Sequence, residues 1–177
     1  MWTRARGAQL FTMILCACAV DAGSGVPVGG AADAPVGGAS SQVTWSDNGT
    51  RRTAIAAQAN FMRVPTLDKV AIQATISATP PAVLLITATG QTPLTVGDYA
   101  CADASGGRHY AQMAYALSSQ DSASSLQDCL VTIRQLPATT GAPITGTFSG
   151  TAISPTDVHL LTDGAFSVPL QLTAAGP

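Results

Sequence analysis

Few side chains in this 177-residue chain can do chemistry. His109 and His159 are the candidate bases, serines are the candidate nucleophiles, and all ten acids are aspartates. Hydrolysis by a serine needs a nucleophile, a base and a group that orients the base. There is no G-x-S-x-G elbow, and "FSGTA" alternates like a strand rather than turning into a helix. His159, in "TDVHLLTDG", reads as an exposed strand histidine before a turn, and His109 opens a strand after "SGGR". A glycosidase would need an Asp–Asp pair, but aspartates beside Gly, Ser or Asn read as turn formers. Asp98 and Asp103 in "DYACAD" lack calcium-loop spacing. With no C-x-x-C, nothing assembles a zinc site. No catalytic residue, metal site or cofactor is expected. Surface recognition would use aromatic platforms, and Tyr110 and Tyr115 in "HYAQMAYAL" are the candidates.

The cysteines carry more information. "MWTRAR" holds Arg4 and Arg6 and no acid, and "GAQLFTMILCACA" has no charge. A basic start followed by a short apolar run is the secretory-signal pattern. The run falls short of the about 20 apolar residues a membrane span requires. Two cleavage readings compete. "LCAC" (Leu15 to Cys18) resembles a bacterial lipobox, which would make Cys18 the lipidated first residue. Cys16 fits worse, because bulky Leu15 precedes it. Alternatively, an ordinary cut follows Ala22 ("VDA") or Ala19 ("ACA"). An uncleaved core strand is the third reading. In an exported chain Cys101 and Cys129 form an even pair, and a disulfide is expected between them. It would close a loop of 28 residues, worth roughly 3–4 kcal/mol by chain-entropy reasoning.

Residues 1–17 are therefore read as a signal segment and 18–41 as a flexible tether. The tether contains "PVGGA" twice, at 27–31 and 35–39. Such a composition cannot bury a core. As a coil it would reach about 25–30 Å. Residues 42–177 form a single domain. Losing Arg4 and Arg6 leaves six basic residues against ten acidic ones. Charged residues make up only 10% of the chain, far below the about 25% of ordinary domains. This surface has no electrostatic reason to bind nucleic acid. Arg51-Arg52 reads as a solvated strand end.

The elements that must position these residues are strands. "QVTWSD", Asn48-Gly49 and "TRRTAIAAQ" read as a hairpin with a type I′ turn. "KVAIQATIS" sets Val70, Ile72, Ala74 and Ile76 on one face. "AVLLITAT", "HYAQMAYAL" and "CLVTIRQL" continue the pattern, with "SSQDSASSLQD" as a polar loop. "PITGTFSGTAI" points Thr145, Thr147, Ser149 and Thr151 one way and Gly146, Phe148, Gly150 and Ala152 the other; glycines beside a buried Phe imply close backbone approach or a bulge. "DVHLLT", Asp163-Gly164 and "AFSVPLQL" read as a second hairpin, with Pro169 at an edge or bulge. "AIAAQANFM" (54–62) is strand or short helix. The fold class is all-β: an antiparallel β-sandwich or open barrel of about eight to ten short strands.

Trp45 with Asn48-Gly49, Gly97-Asp98-Tyr99, the strand Gly146 to Gly150, and Asp163-Gly164-Ala165-Phe166 occur in an order that resembles a set of bacterial lipoproteins and secreted β-domains. The match covers roughly residues 43–172, and Cys101 after the Gly-x-Tyr segment departs from it. The resemblance implies a β domain and names no catalytic residue. The expected function is a non-enzymatic cell-envelope lipoprotein, a binding or structural module anchored to a membrane through Cys18. Its partner would be an envelope protein or glycan. The alternatives are a soluble secreted binding domain and a hydrolase of unrecognised type.

Overall fold

Asn48 and Gly49 make the first turn, both at positive φ (49° and 82°), the pairing that a type I′ turn requires. The structure is a computed structural model that describes residues 40–64, 66–101, 109–118, 121–123 and 126–173. The signal segment 1–17, Cys18 and the tether up to residue 39 lie outside the described residues. Eleven strands follow one another: β1 (Gln42–Asp47), β2 (Thr50–Thr53), β3 (Ala56–Val64), β4 (Leu67–Ala78), β5 (Pro81–Gln91), β6 (Gly97–Ala100), β7 (Tyr110–Ala116), β8 (Ser122–Ala123), β9 (Gln127–Gln135), β10 (Pro143–Ile153) and β11 (Val158–Leu172). The described residues form no helix.

The strands make two layers. One runs β2-β1-β11-β10-β9-β6 and the other β3-β4-β5-β7-β8. At one corner the end of β11 (Leu170 to Leu172) pairs in parallel with Ala59 to Phe61 of β3. At the opposite corner Cys101 bridges Ala111 in parallel. The result is a nearly closed barrel. Its core includes Trp45, Ile72, Leu84, Ile86, Met113, Ile133, Ile144, Leu161 and Leu170.

Two local expectations are corrected, and the open reading of residues 54–62 resolves to strand from Ala56 onward. The first hairpin is present, but its second arm ends at Thr53, and the next strand belongs to the other layer. Residues 54–62 contain no helix. Ala57, Ala59 and Phe61 alternate inward between β4 and β11, so pairing on both sides overrides alanine's helix preference. Asp163-Gly164 makes no hairpin. It is a bulge within the unbroken strand β11, where Thr162 and Asp163 together oppose Ser149. Asp163 takes φ 51° there. The extra residue switches the inward set from His159 and Leu161 to Gly164, Phe166, Val168 and Leu170, as a bulge must. Gly164 has no room for a side chain, because a Cβ would lie 2.7 Å from the Phe148 ring. The turn itself is made by Ser154 to Asp157, where the Ser154 hydroxyl accepts from the Thr156 and Asp157 amides (3.3 and 2.9 Å).

Pro169 sits at neither an edge nor a bulge. It falls after the pairing of Gln42 with Ser167 and before that of Leu170 with Ala59. β11 changes neighbours at that point, and a missing N–H costs the ladder little there.

Candidate functional site

Chemistry-bearing side chains gather in two places. The first is built on β1, β7 and β11. Val43, Trp45 and Asp47 share the inward face of β1, and the same alternation turns His159 inward on β11. His159 Nδ1 lies 3.0 Å from Asp47 Oδ1. Its Nε2 lies 3.1 and 3.2 Å from the two oxygens of Asp121, in the β7–β8 connection. The second Asp47 oxygen accepts from the Tyr115 hydroxyl at 2.9 Å and from Arg52 at 3.4 Å. Tyr115 stands edge-on to Trp45, with centroids 6.2 Å apart. The side chains of Asp47 and His159 are 1% and 7% exposed.

Burial alone would lower the His159 pKa. The hydrogen bonds to Asp47 and Asp121, and the charges of both, outweigh it and raise the pKa. Each ring nitrogen faces a carboxylate, an arrangement that favours the protonated ring. Asp121 is held below the usual carboxylate range by a hydrogen bond from Ser154 and then by His159, against the effect of burial. Burial and the bond to Asp47 push the Tyr115 phenol upward. A general base needs a lone pair on its imidazole within reach of a substrate, and here both ring nitrogens are already within hydrogen-bond distance of Asp47 and Asp121. The Ser154 hydroxyl donates to the Asp157 carbonyl at 3.1 Å within its own turn. The chemistry available is an ion relay that ties β1, β11 and the β7–β8 connection together.

The second place is at the ends of β3, β4 and β11. Asp68 lies on the inward face of β4 with Val70, Ile72 and Ala74. Its carboxylate is 0% exposed and binds Arg63, whose side chain is 57% exposed. It accepts from Arg63 Nε (3.1 Å), Arg63 Nη2 (3.4 Å), Thr92 Oγ1 (3.1 Å) and the Leu94 amide (3.1 Å). Burial pushes its pKa up, but the bonds from Arg63, Leu94 and Thr92 together bring it below the usual value. Arg63 also lies over the Phe61 ring, 5.7 Å from its centroid. Around this pair opens a groove of about 500 Å³, walled by Phe61, Leu94, Leu136, Pro137 and Leu172.

The sequence-derived candidates fare unevenly. Cys101 and Cys129 form the expected disulfide. Tyr110 and Tyr115 make no common platform: they lie on opposite faces of β7, and Tyr115 is buried against Asp47. His159 is buried rather than exposed, and Arg52 is an ion-pair partner rather than a solvated strand end. Asp47, Asp68, Asp121 and Arg63 were not singled out by sequence reasoning. For Asp47 and Asp68 the signal was present, since each occupies an inward position in an otherwise apolar alternation. Asp121 sits in a polar loop with no such pattern. Among the described residues no group of three or more His, Cys or acidic side chains is placed to hold a metal ion.

No protein-family model matches this chain, and no curated protein or solved structure is significantly similar to it.

Proposed function

We propose that this chain is an exported, non-enzymatic binding module of the cell envelope, related to the lipoproteins its motifs resemble and tethered to a membrane through a lipid on Cys18. The observation that carries the binding reading is a contrast in how the polar side chains are engaged. His159 has both ring nitrogens on carboxylates, while the groove beside Arg63 offers a fixed cation among apolar walls. Apolar walls with a few placed polar groups are the usual make-up of a small-ligand site. The Cys101–Cys129 bond supports an oxidising compartment.

The test is the intact mass of the protein recovered from fractionated native cells. A membrane-bound species beginning at Cys18 with added acyl mass is expected. A soluble species beginning at Val20 or Gly23 would replace the tether with secretion and favour the soluble binding domain. Ester or amide turnover that disappears in a folded His159→Ala variant would overturn the non-enzymatic reading.

A further inference from the structure

We propose that the groove at the ends of β3, β4 and β11 takes a small amphipathic carboxylate, a monoanionic headgroup on one aliphatic chain, with Arg63 receiving the carboxylate. This inference rests on the binding-module reading and specifies its ligand.

Arg63 carries five N–H donors in a planar fork. Nε and one N–H of Nη2 bind Asp68, and among the described residues nothing else hydrogen-bonds the guanidinium. Asp68 thus fixes the plane of the fork while the remaining edge stays available. The side chain is 57% exposed and lines the groove, so that edge is within reach of a ligand. Asp68 itself does not compete for donors. Its oxygens accept four bonds, two from Arg63 and one each from the Thr92 hydroxyl and the Leu94 amide, and its side chain is 0% exposed.

The same pairing limits the charge the site can accept. Asp68 offsets most of Arg63's field, so a dianion such as phosphate gains little while losing a large hydration shell. A single carboxylate loses less and matches the planar fork in two parallel bonds. The walls supply the rest of the selection. Phe61, Pro93, Leu94, Leu136, Pro137 and Leu172 present hydrocarbon, which favours an aliphatic chain over a sugar or a peptide backbone.

The experiment is isothermal titration of the full chain with decanoate, decanol and inorganic phosphate. Decanoate is expected to bind, decanol to bind about tenfold more weakly or worse, because it lacks the charge-assisted pair, and phosphate not to compete. Ala138→Trp fills the groove from an exposed position and should abolish decanoate binding. Arg63→Gln should bring decanoate down to the affinity of decanol. Because Arg63→Gln leaves Asp68 without its cation, Ala138→Trp and the alcohol comparison stand independently of it. Equal binding of decanoate and decanol, phosphate binding as tight as decanoate, unchanged binding by Ala138→Trp, or no binding by the unaltered chain would each overturn the proposal. A chain recovered tethered, with its disulfide intact, that ignores decanoate removes this ligand class alone. Turnover that depends on His159 removes the module reading beneath it.

Discussion

Asp47 and Asp68 both carry carboxylates that water hardly reaches, with side-chain exposures of 1% and 0%, yet their surroundings differ in kind. Asp47 is balanced by two cations, Arg52 and His159, and one of these is held in turn by Asp121. His159 is enclosed between two carboxylates, while Arg52 makes one bond at 3.4 Å and keeps a buried Nε without a hydrogen-bond partner among the described residues; we call this cluster closed for the histidine it encloses. Asp68 has one cation and fills its remaining acceptor sites with a hydroxyl and a backbone amide. Both carboxylates take neutral donors as well, Tyr115 at Asp47 and Thr92 and Leu94 at Asp68, but Arg63 faces the groove. The difference lies in what surrounds the cation: the imidazole at Asp47 is buried between two carboxylates, whereas the guanidinium at Asp68 is half exposed and lines a groove.

The largest effect that can break this contrast is expected from Asp47→Ala. It strands the Tyr115 hydroxyl, Arg52 and one nitrogen of His159, and losing one partner of a buried ion network costs about 3–5 kcal/mol. Urea unfolding measures this, and a loss under about 1 kcal/mol would mean the cluster does not hold the layers together. Asp68→Ala should cost less, about 2–3 kcal/mol, because half-exposed Arg63 can return to water. If it cost as much as Asp47→Ala, the distinction between closed and open clusters would fail.

Acidity and alkalinity separate the two regions next. His159 has a raised pKa in the fold, so its contribution is complete below the unfolded value near 6.5 and disappears as pH rises through the folded pKa. Asp68 and Asp121 have lowered values, so theirs is complete above about 4 and disappears as pH falls through their folded pKa values. The alkaline loss therefore belongs to the closed cluster, while the acid loss is shared. Stability against pH for His159→Gln should lack the alkaline limb and for Asp68→Asn should show a shallower acid limb. An alkaline limb that survives His159→Gln would assign it elsewhere. The smallest change, Tyr115→Phe, removes one hydrogen bond to Asp47 and should cost about 1 kcal/mol.

Much of the fold was legible because it depends on short-range rules. Asn48-Gly49 has the turn chemistry, and burial follows a period of two along all of β10 and along β4 as far as Ala74, before the irregularity at Thr75 to Ser77. Asp163-Gly164 misled because the same dipeptide suits a hairpin turn and a bulge. Only the partner strands decide between them, and β10 had already turned at Ser154 to Asp157. The open groove escaped notice for a related reason, since it forms where β3, β4, β9 and β11 end and no single stretch describes it. His159 was misread because a histidine flanked by Val158 and Leu160, both about half exposed, looks like part of an outer face. Its alternation with buried Leu161 was the better guide.

β11 also has a consequence in time. It is the neighbour of β1, β10 and β3, and the contact of its His159 with Asp47 spans 112 residues of sequence. During synthesis the β1–β2 hairpin has nothing else to pair with until that strand emerges. The sheet of β3, β4, β5 and β7 would meanwhile present its apolar inner face to water. Closure by so distant a strand makes folding slow compared with chains of local contacts. Until that last seam forms, the unfinished barrel is the species most exposed to self-association.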